Sequence, residues 1–338
     1  MKNNLLVTAA FSILLAISAN AQENPSLDDR LRAHLHKEYF TLNILIQSEG
    51  RLSFKDDDFQ GGRSFNAANA RVSMRGNLNG GFFYRIFLDA APEPALLDVF
   101  VGYKVSDALS FMVGSMKPKQ TLDFIPDPGS HNFVDRTTMT GLLVGSRETG
   151  IAATGDMGGF YYYTGIFNGS GLENNNNNKF YGIGRLQYTI SNDLPGYIQF
   201  AISGSHGNSE GYISGSSGPL LRGNRTILGS DIELELNRFY FAAEYLQGDL
   251  ETVDFLNVNE LINGYYFTGG LRWSEKTMTF ARWQSWSYRE LGTTESKLTL
   301  GTNINFTDIV GLVLNLDAYA PNQGNTQYGA SFIFQVQF

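Results

Sequence analysis

The spacing of turn signals limits what this chain can become more than any other feature. Short turns fall at Asn79-Gly80, Ser106-Asp107, Met157, Asn192-to-Pro195, Asn237, Ser274-Glu275 and Thr307-Asp308. Between them come longer polar stretches: Lys55-to-Asn66, Asn168-to-Lys179, Ser205-to-Asn224, Asp249-to-Leu261 and Ser287-to-Glu295. A soluble β-sandwich has no reason to sort its connections by parity. A barrel that crosses a bilayer does, with tight turns on one rim and long loops on the other.

The segments between these connections are strand-like. Sixteen of them centre on 39–49, 68–78, 81–91, 96–105, 108–117, 147–156, 158–168, 180–190, 196–204, 225–236, 238–247, 263–273, 276–286, 296–306, 310–319 and 327–338. Several alternate cleanly. Phe82, Tyr84, Ile86 and Leu88 oppose Phe83, Arg85, Phe87 and Asp89, and Ile232, Leu234 and Leu236 oppose Asp231, Glu233 and Glu235. Alternation with period two marks a strand with different surroundings on its two faces. The last strand, "YGASFIFQVQF", ends on Phe338 itself, which implies a terminus held by pairing rather than left to fray.

The expected fold is all-β: a closed antiparallel transmembrane β-barrel of about 16 strands. An even count puts both termini on the short-turn, periplasmic rim. The front end fits this placement. Lys2, the apolar run Leu5 to Ile17 and Ser18-Ala19-Asn20-Ala21 make a secretory signal peptide, 1–21. About thirteen apolar residues are too few for a spanning helix, which needs roughly twenty. Residues 22–37 are expected to form a periplasmic lead-in and 38–338 the pore domain, in the outer membrane of a Gram-negative bacterium and in contact with its lipid.

Composition narrows the chemistry. There is no cysteine, so neither disulfides nor thiolate metal sites can form. The four histidines, His34, His36, His131 and His206, show no zinc-site spacing, and no metal or cofactor is expected. Removing Lys2 with the signal takes the net charge from −8 to −9, which disfavours nucleic acid as a partner. "GIGRLQ" lies inside a strand and lacks the strand–turn–helix setting of a nucleotide loop. His206 falls in a long external stretch and His131 in an inserted one, a poor basis for a hydrolase dyad, so the chain reads as a non-enzyme. Asp56, Asp57 and Asp58 read as a solvated acidic loop rather than a divalent-cation site.

Parity also assigns the charges. Arg71 and Arg75 oppose Val72 and Met74 and so point inward; Arg85, Arg185 and Arg272 do so by the same test. A hairpin at Asn79-Gly80 sets Arg75 near Arg85 and Arg71 near Asp89. Asp89, Asp98, Glu233, Glu235, Glu244 and Asp317 also point inward. The arginines therefore either pair with these acids or leave a net basic passage. One stretch breaks the loop rhythm: about thirty residues, 118–146, show no clear alternation. In a barrel of this size their place is the lumen, where they would narrow the channel.

At that stretch the chain resembles the phosphate-selective porin O and P family. The matching pieces are "VGSMKPKQT", "VDRTTMTGLLVGSRETGIAATG" and "YYYTGIFNGSG", flanked by "RVSMRGNLNGGFFYRIFLD" and "GSDIELELNRFYFAAEYLQGDL". The resemblance implies a sixteen-stranded, usually trimeric barrel that passes small inorganic anions such as phosphate. It also implies that Lys117, Arg136 and Arg147 sit among the basic residues around the inward-folded loop. Phe338 and its alternating neighbours resemble the tag by which such barrels reach their assembly machinery. The expected function is passive diffusion of small hydrophilic solutes through a basic constriction. The alternatives are a weakly selective general porin, a specific-solute channel, or a non-conducting structural or adhesive barrel.

Overall fold

The computed structural model describes residues 36–37, 39–55, 62–91, 95–144, 147–191, 194–253 and 259–338. The expected signal peptide, most of the lead-in, and Asp56, Asp57 and Asp58 lie outside the described residues.

Sixteen strands make the wall: β1 (Phe40–Ser53), β2 (Arg63–Asn77), β3 (Phe82–Asp89), β4 (Ala95–Ser106), β5 (Leu109–Met116), β6 (Glu148–Met157), β7 (Phe160–Phe167), β8 (Tyr181–Ile190), β9 (Gly196–Ile213), β10 (Leu220–Leu236), β11 (Phe239–Thr252), β12 (Asn259–Ser274), β13 (Thr277–Tyr288), β14 (Thr293–Asn305), β15 (Val310–Ala320) and β16 (Gln327–Gln337). Each pairs antiparallel with the next, and β16 returns to β1, from Gly329 opposite Ser53 to Gln337 opposite Leu45. Phe338 is held in the seam by two bonds. Its carbonyl accepts from the Ile44 amide at 2.8 Å and its amide donates to the Ile44 carbonyl at 3.1 Å. A two-residue strand, His36–Lys37, pairs with the start of β1.

Local chemistry explains the tight turns. Met157-Gly158-Gly159-Phe160 joins β6 to β7 through two residues of positive φ, 64° and 93°. This is the geometry that matches the twist of a two-residue hairpin and that glycine adopts without strain. The outer wall is the apolar face of the alternation: Val101, Val113, Ile151, Ile166, Ile202 and Leu316 are all more than half exposed. Near the short-turn rim this face carries Phe82, Tyr103, Phe160, Tyr188, Phe239 and Trp273, an aromatic band at interface height.

The inserted segment lies inside the barrel, as expected. It contains one short helix, α1 (Thr138–Leu143), whose Thr137 cap accepts from the Thr140 amide at 3.3 Å. Met139, Leu142 and Leu143 pack with Phe124 against Leu221, Ile227, Leu246, Leu250 and Ile262 of the inner wall. The lumen therefore holds an apolar core of its own on the β10–β12 side.

Three of the expected long loops are shorter than their polar sequence suggests. β9 runs 18 residues and β10 runs 17, so most of Ser205-to-Asn224 is paired strand. The same holds for much of Asp249-to-Leu261 and for parts of Ser287-to-Glu295. His206 is a strand residue, paired with Thr226, whose hydroxyl lies 2.8 Å from its Nδ1. The physical reason is that about ten residues suffice to cross lipid. Above that height both faces meet water and alternation is no longer required.

One buried ion pair ties the far end of the inserted segment to this extension. Glu148 meets Arg225 at 2.7 Å, both almost fully buried, and also accepts from the Gly169 and Gly171 amides at 3.2 Å. The Arg225 guanidinium lies 3.6 Å from the Tyr181 ring centroid. Removing one partner strands the other charge without water. Glu148→Ala is expected to lower stability by about 3–5 kcal/mol, and Glu148→Gln with Arg225→Met to recover most of it. Urea unfolding in detergent micelles measures both.

Candidate functional site

One cluster of charged side chains in the lumen is built by β2, β3, β4, the start of β6 and the inserted segment. The Asn79–Gly81 turn sets the register there: Arg75 stands opposite Arg85 and Arg71 opposite Asp89. Arg71 Nε donates to Asp89 at 2.7 Å. Arg85 lies 3.4 Å from Asp98 and 3.2 Å from Asp127, and Arg147 Nε donates to the same Asp98 at 2.8 Å. All three guanidiniums gather on the ring of Phe87, at 5.6, 4.5 and 5.6 Å from its centroid. An aromatic face attracts each cation, and it lets three like charges share one wall. Arg75 is exposed and makes no hydrogen bond or ion pair with any described residue.

Lys117 and Arg136 serve the inserted segment itself. Lys117 Nζ donates to the carbonyls of Ile125 and Pro126 at 3.2 and 2.8 Å. Arg136 donates to the carbonyls of Asp123 and Pro126, the latter at 2.7 Å. The Lys117 amine and the Arg136 guanidinium lie 4.7 and 5.2 Å from the Phe124 ring centroid, and Asp127 stands 3.7 Å from the Lys117 amine. They staple the turn from two sides. Two carbonyl acceptors match the two N–H groups of a neutral amine. Burial, and next the neighbouring Arg136, push the Lys117 pKa down to about 6. His131, hydrogen-bonded to the Pro126 carbonyl at 3.2 Å, is lowered by burial and Arg136 to about 3 and is neutral.

Arg185 and Arg272 stand elsewhere, and for the fully buried Arg185 the expected role in touching a permeant is corrected. Arg185 is fully buried, gripped by both carboxylate oxygens of Asp231 at 2.6 and 2.9 Å, and donates to the Gln120 carbonyl. Arg272 pairs with Glu235 at 2.6 Å on the opposite wall. The bidentate carboxylate leaves the Arg185 guanidinium little capacity for a passing anion, whereas Arg272 makes one contact and stays more than a third exposed.

Several residues escaped the sequence reading. Lys119 is within electrostatic reach of Asp127, Arg85, Asp98 and Arg147, has no ion pair to a described residue, and has its pKa lowered by burial; it lies in "VGSMKPKQT", two positions from Lys117, and was legible there. Arg51 and Lys297 fix the inserted segment through Asp135, Arg51 by two hydrogen bonds at 2.7 and 3.1 Å and Lys297 at 3.8 Å. Gln47 and Gln335 donate to the Pro128 and Gly129 carbonyls, so the segment's tip rests on the β1–β16 seam. Arg282, between the outward Ala281 and Trp283, donates to the Asp135 carbonyl at 2.9 Å.

The family model for phosphate-selective porin O and P matches residues 40–249, more than half of the sequence. The chain belongs to that family. It is a channel of the outer membrane. Among solved structures of the same fold, an anion-selective porin from Comamonas acidovorans aligns at a TM-score of 0.66 with 13% identity, covering 88% of this chain and 99% of its own. OmpT of Vibrio cholerae in its trimer form aligns at 0.65 with 10% identity, over 88% and 99%. OprB of Pseudomonas putida aligns at 0.64 with 9% identity, over 92% and 96%. No curated protein sequence matches this porin.

The lowered Lys117 pKa has a definite sign. Above about 6 the side chain is neutral, and below it the lumen gains one positive charge. Between about 6 and the ordinary lysine value of 10.5 the folded porin binds fewer protons than the unfolded chain, so Lys117's contribution to stability grows with pH across that window. Acidification through about 6 is expected to raise anion preference in a salt-gradient reversal potential. Lys117→Met is expected to flatten that step.

Proposed function

We propose that this porin favours small anions such as phosphate, drawing them by passive diffusion along the wall of β2, β3, β4 and β6. One observation carries the reading: five cationic side chains, Arg71, Arg75, Arg85 and Arg147 along the wall and Lys119 on the inserted segment, gather with three carboxylates, Asp89 and Asp98 of the wall and Asp127 of the segment. The local excess is two positive charges. A narrow passage with low-dielectric walls focuses such a field and raises the local anion concentration. Arg75 and Lys119, which have no partner of opposite charge in contact, are the groups best able to meet a permeant. The partial pairing of Arg71, Arg85 and Arg147 suits transport, because an ion bound too firmly does not leave. Lys117 and Arg136 act in this scheme by holding the inserted segment, and Arg185 and Arg272 by holding the far wall.

The remaining parts of the proposal concern assembly. The basic, apolar and small-residue blocks of 1–21 support export and cleavage after Ala21. Phe338, an aromatic end locked into the closing seam, supports recognition by the barrel-assembly machinery. The trimer form of OmpT supports the same assembly for this porin.

Reversal potentials across a planar bilayer under a potassium chloride gradient test the selectivity. The parent is expected to favour chloride, and Arg75→Ser with Lys119→Ser to remove most of that preference, since neither change leaves a buried acid unpaired. Cation preference in the parent, or chloride preference untouched by the double change, would rule the reading out.

A further inference from the structure

On the side of the lumen away from the basic wall, residues 122–135 of the inserted segment and the inner faces of β9 to β13 enclose a cavity of about 240 Å³. At about 30 Å³ of liquid each, roughly eight waters would fill it. Two hydroxyl-bearing residues of β12 line it: Tyr266, 5% exposed, and Thr268, 3% exposed. Neither side chain makes a hydrogen bond to any described residue, so both hydroxyls are open to whatever fills the cavity.

One carboxylate of the cavity lining has no cationic partner among the described residues. Glu233 lines the cavity and accepts from the Tyr240 hydroxyl at 2.8 Å, but no cation of the described residues pairs with it. Glu235 is held by Arg272, and Asp135 by Arg51. Asp123 accepts from the Thr137 amide at 2.8 Å and faces Arg282 at 3.9 Å. Of the four lining carboxylates, Asp123, Asp135 and Glu235 face cations and Glu233 faces none among the described residues, while His131 is neutral. The rings of Tyr240 and Tyr266 add aromatic surface, which favours a cation.

We infer that this cavity is a subsite for small organic ammonium ions, with the ammonium against Glu233 and its remaining N–H groups on the Tyr266 and Thr268 hydroxyls. An anion is repelled there by the unpaired carboxylate. A quaternary ammonium, lacking N–H, leaves both hydroxyls unpaired. The channel then has two unlike walls: a basic one that handles anions and an acidic, hydroxyl-rich one that retains protonated amines. A solute bearing both charges could engage each wall in turn.

Single-channel recording in potassium chloride with added ethylammonium tests this. Ethylammonium is expected to interrupt the open-channel current, and tetramethylammonium to do so far less. Glu233→Gln is expected to raise the half-blocking concentration about tenfold, as loss of a charge-assisted hydrogen bond does. Tyr266→Phe and Thr268→Val are each expected to raise it about threefold. These two neutral changes leave the basic wall intact, so their chloride reversal potential reports that the barrel has formed. Interruption by glucose equal to that by ethylammonium, or a half-blocking concentration unchanged in all three variants, would overturn the subsite. Loss of the chloride preference with the ethylammonium block retained would count against the proposed anion function and in favour of the subsite.

Discussion

Hydrocarbon offers no hydrogen-bond partner to a peptide group, and everything else in this porin follows from that. Each N–H and C=O at membrane depth must find its partner within the protein, which only a helix or a closed sheet can supply. Among the described residues no helix is long and apolar enough to cross, so the sheet must close. Closure makes the seam the critical joint. There Phe338, the last residue, exchanges two backbone bonds with Ile44 and leaves β16 no free end. Closure also makes parity absolute. A strand cannot slip by one residue without turning its apolar set into water and its charges into lipid.

Once parity is fixed, the interior becomes a place where charges can gather at modest cost, and the inserted segment decides how they are used. It is pinned by three kinds of contact. Amide side chains of Gln47 and Gln335 hold its tip to the seam, Asp135 ties it to Arg51 and Lys297, and Leu142 and Leu143 of α1 bury themselves against β10–β12. These anchors lie on different walls, so the segment crosses the lumen as a strut. It leaves the arginines of β2 and β3 on one side and the acids of β10 on the other.

Much of this was legible before any coordinates. Sixteen strands followed from alternation and turn parity. The facing of Arg75 with Arg85, and of Arg71 with Asp89, followed from placing the hairpin at Asn79-Gly80. What could not be read was anything depending on a contact across the lumen. Arg185 looked like Arg71 in sequence, an inward arginine on an alternating strand. It meets Asp231 two strands away and is consumed there. Lys117 and Arg136 carried the marks of a basic loop, yet they point at carbonyls of their own segment, beside the Phe124 ring. His206 and its neighbours read as loop because alternation stops where lipid stops, although strand pairing does not.

The net charge of −8 looks at odds with the proposed anion preference, but the sum is a poor guide. Many of the acids sit on the rims, with Asp107, Asp156, Glu275 and Asp308 at the short turns and Glu210, Asp249 and Glu290 toward the other mouth. At physiological salt their fields decay over about 8 Å. Inside, Asp231, Glu148 and Asp317 are neutralised by Arg185, Arg225 and Lys297, and Glu244 is held by the Leu122 and Asp123 amides. A permeant therefore meets only what pairing leaves over. On the wall of β2–β4 and β6 the remainder is positive, and near Glu233 it is negative. The sign of selectivity is set by which of these two walls an ion must pass within a Debye length of, and the overall charge does not enter.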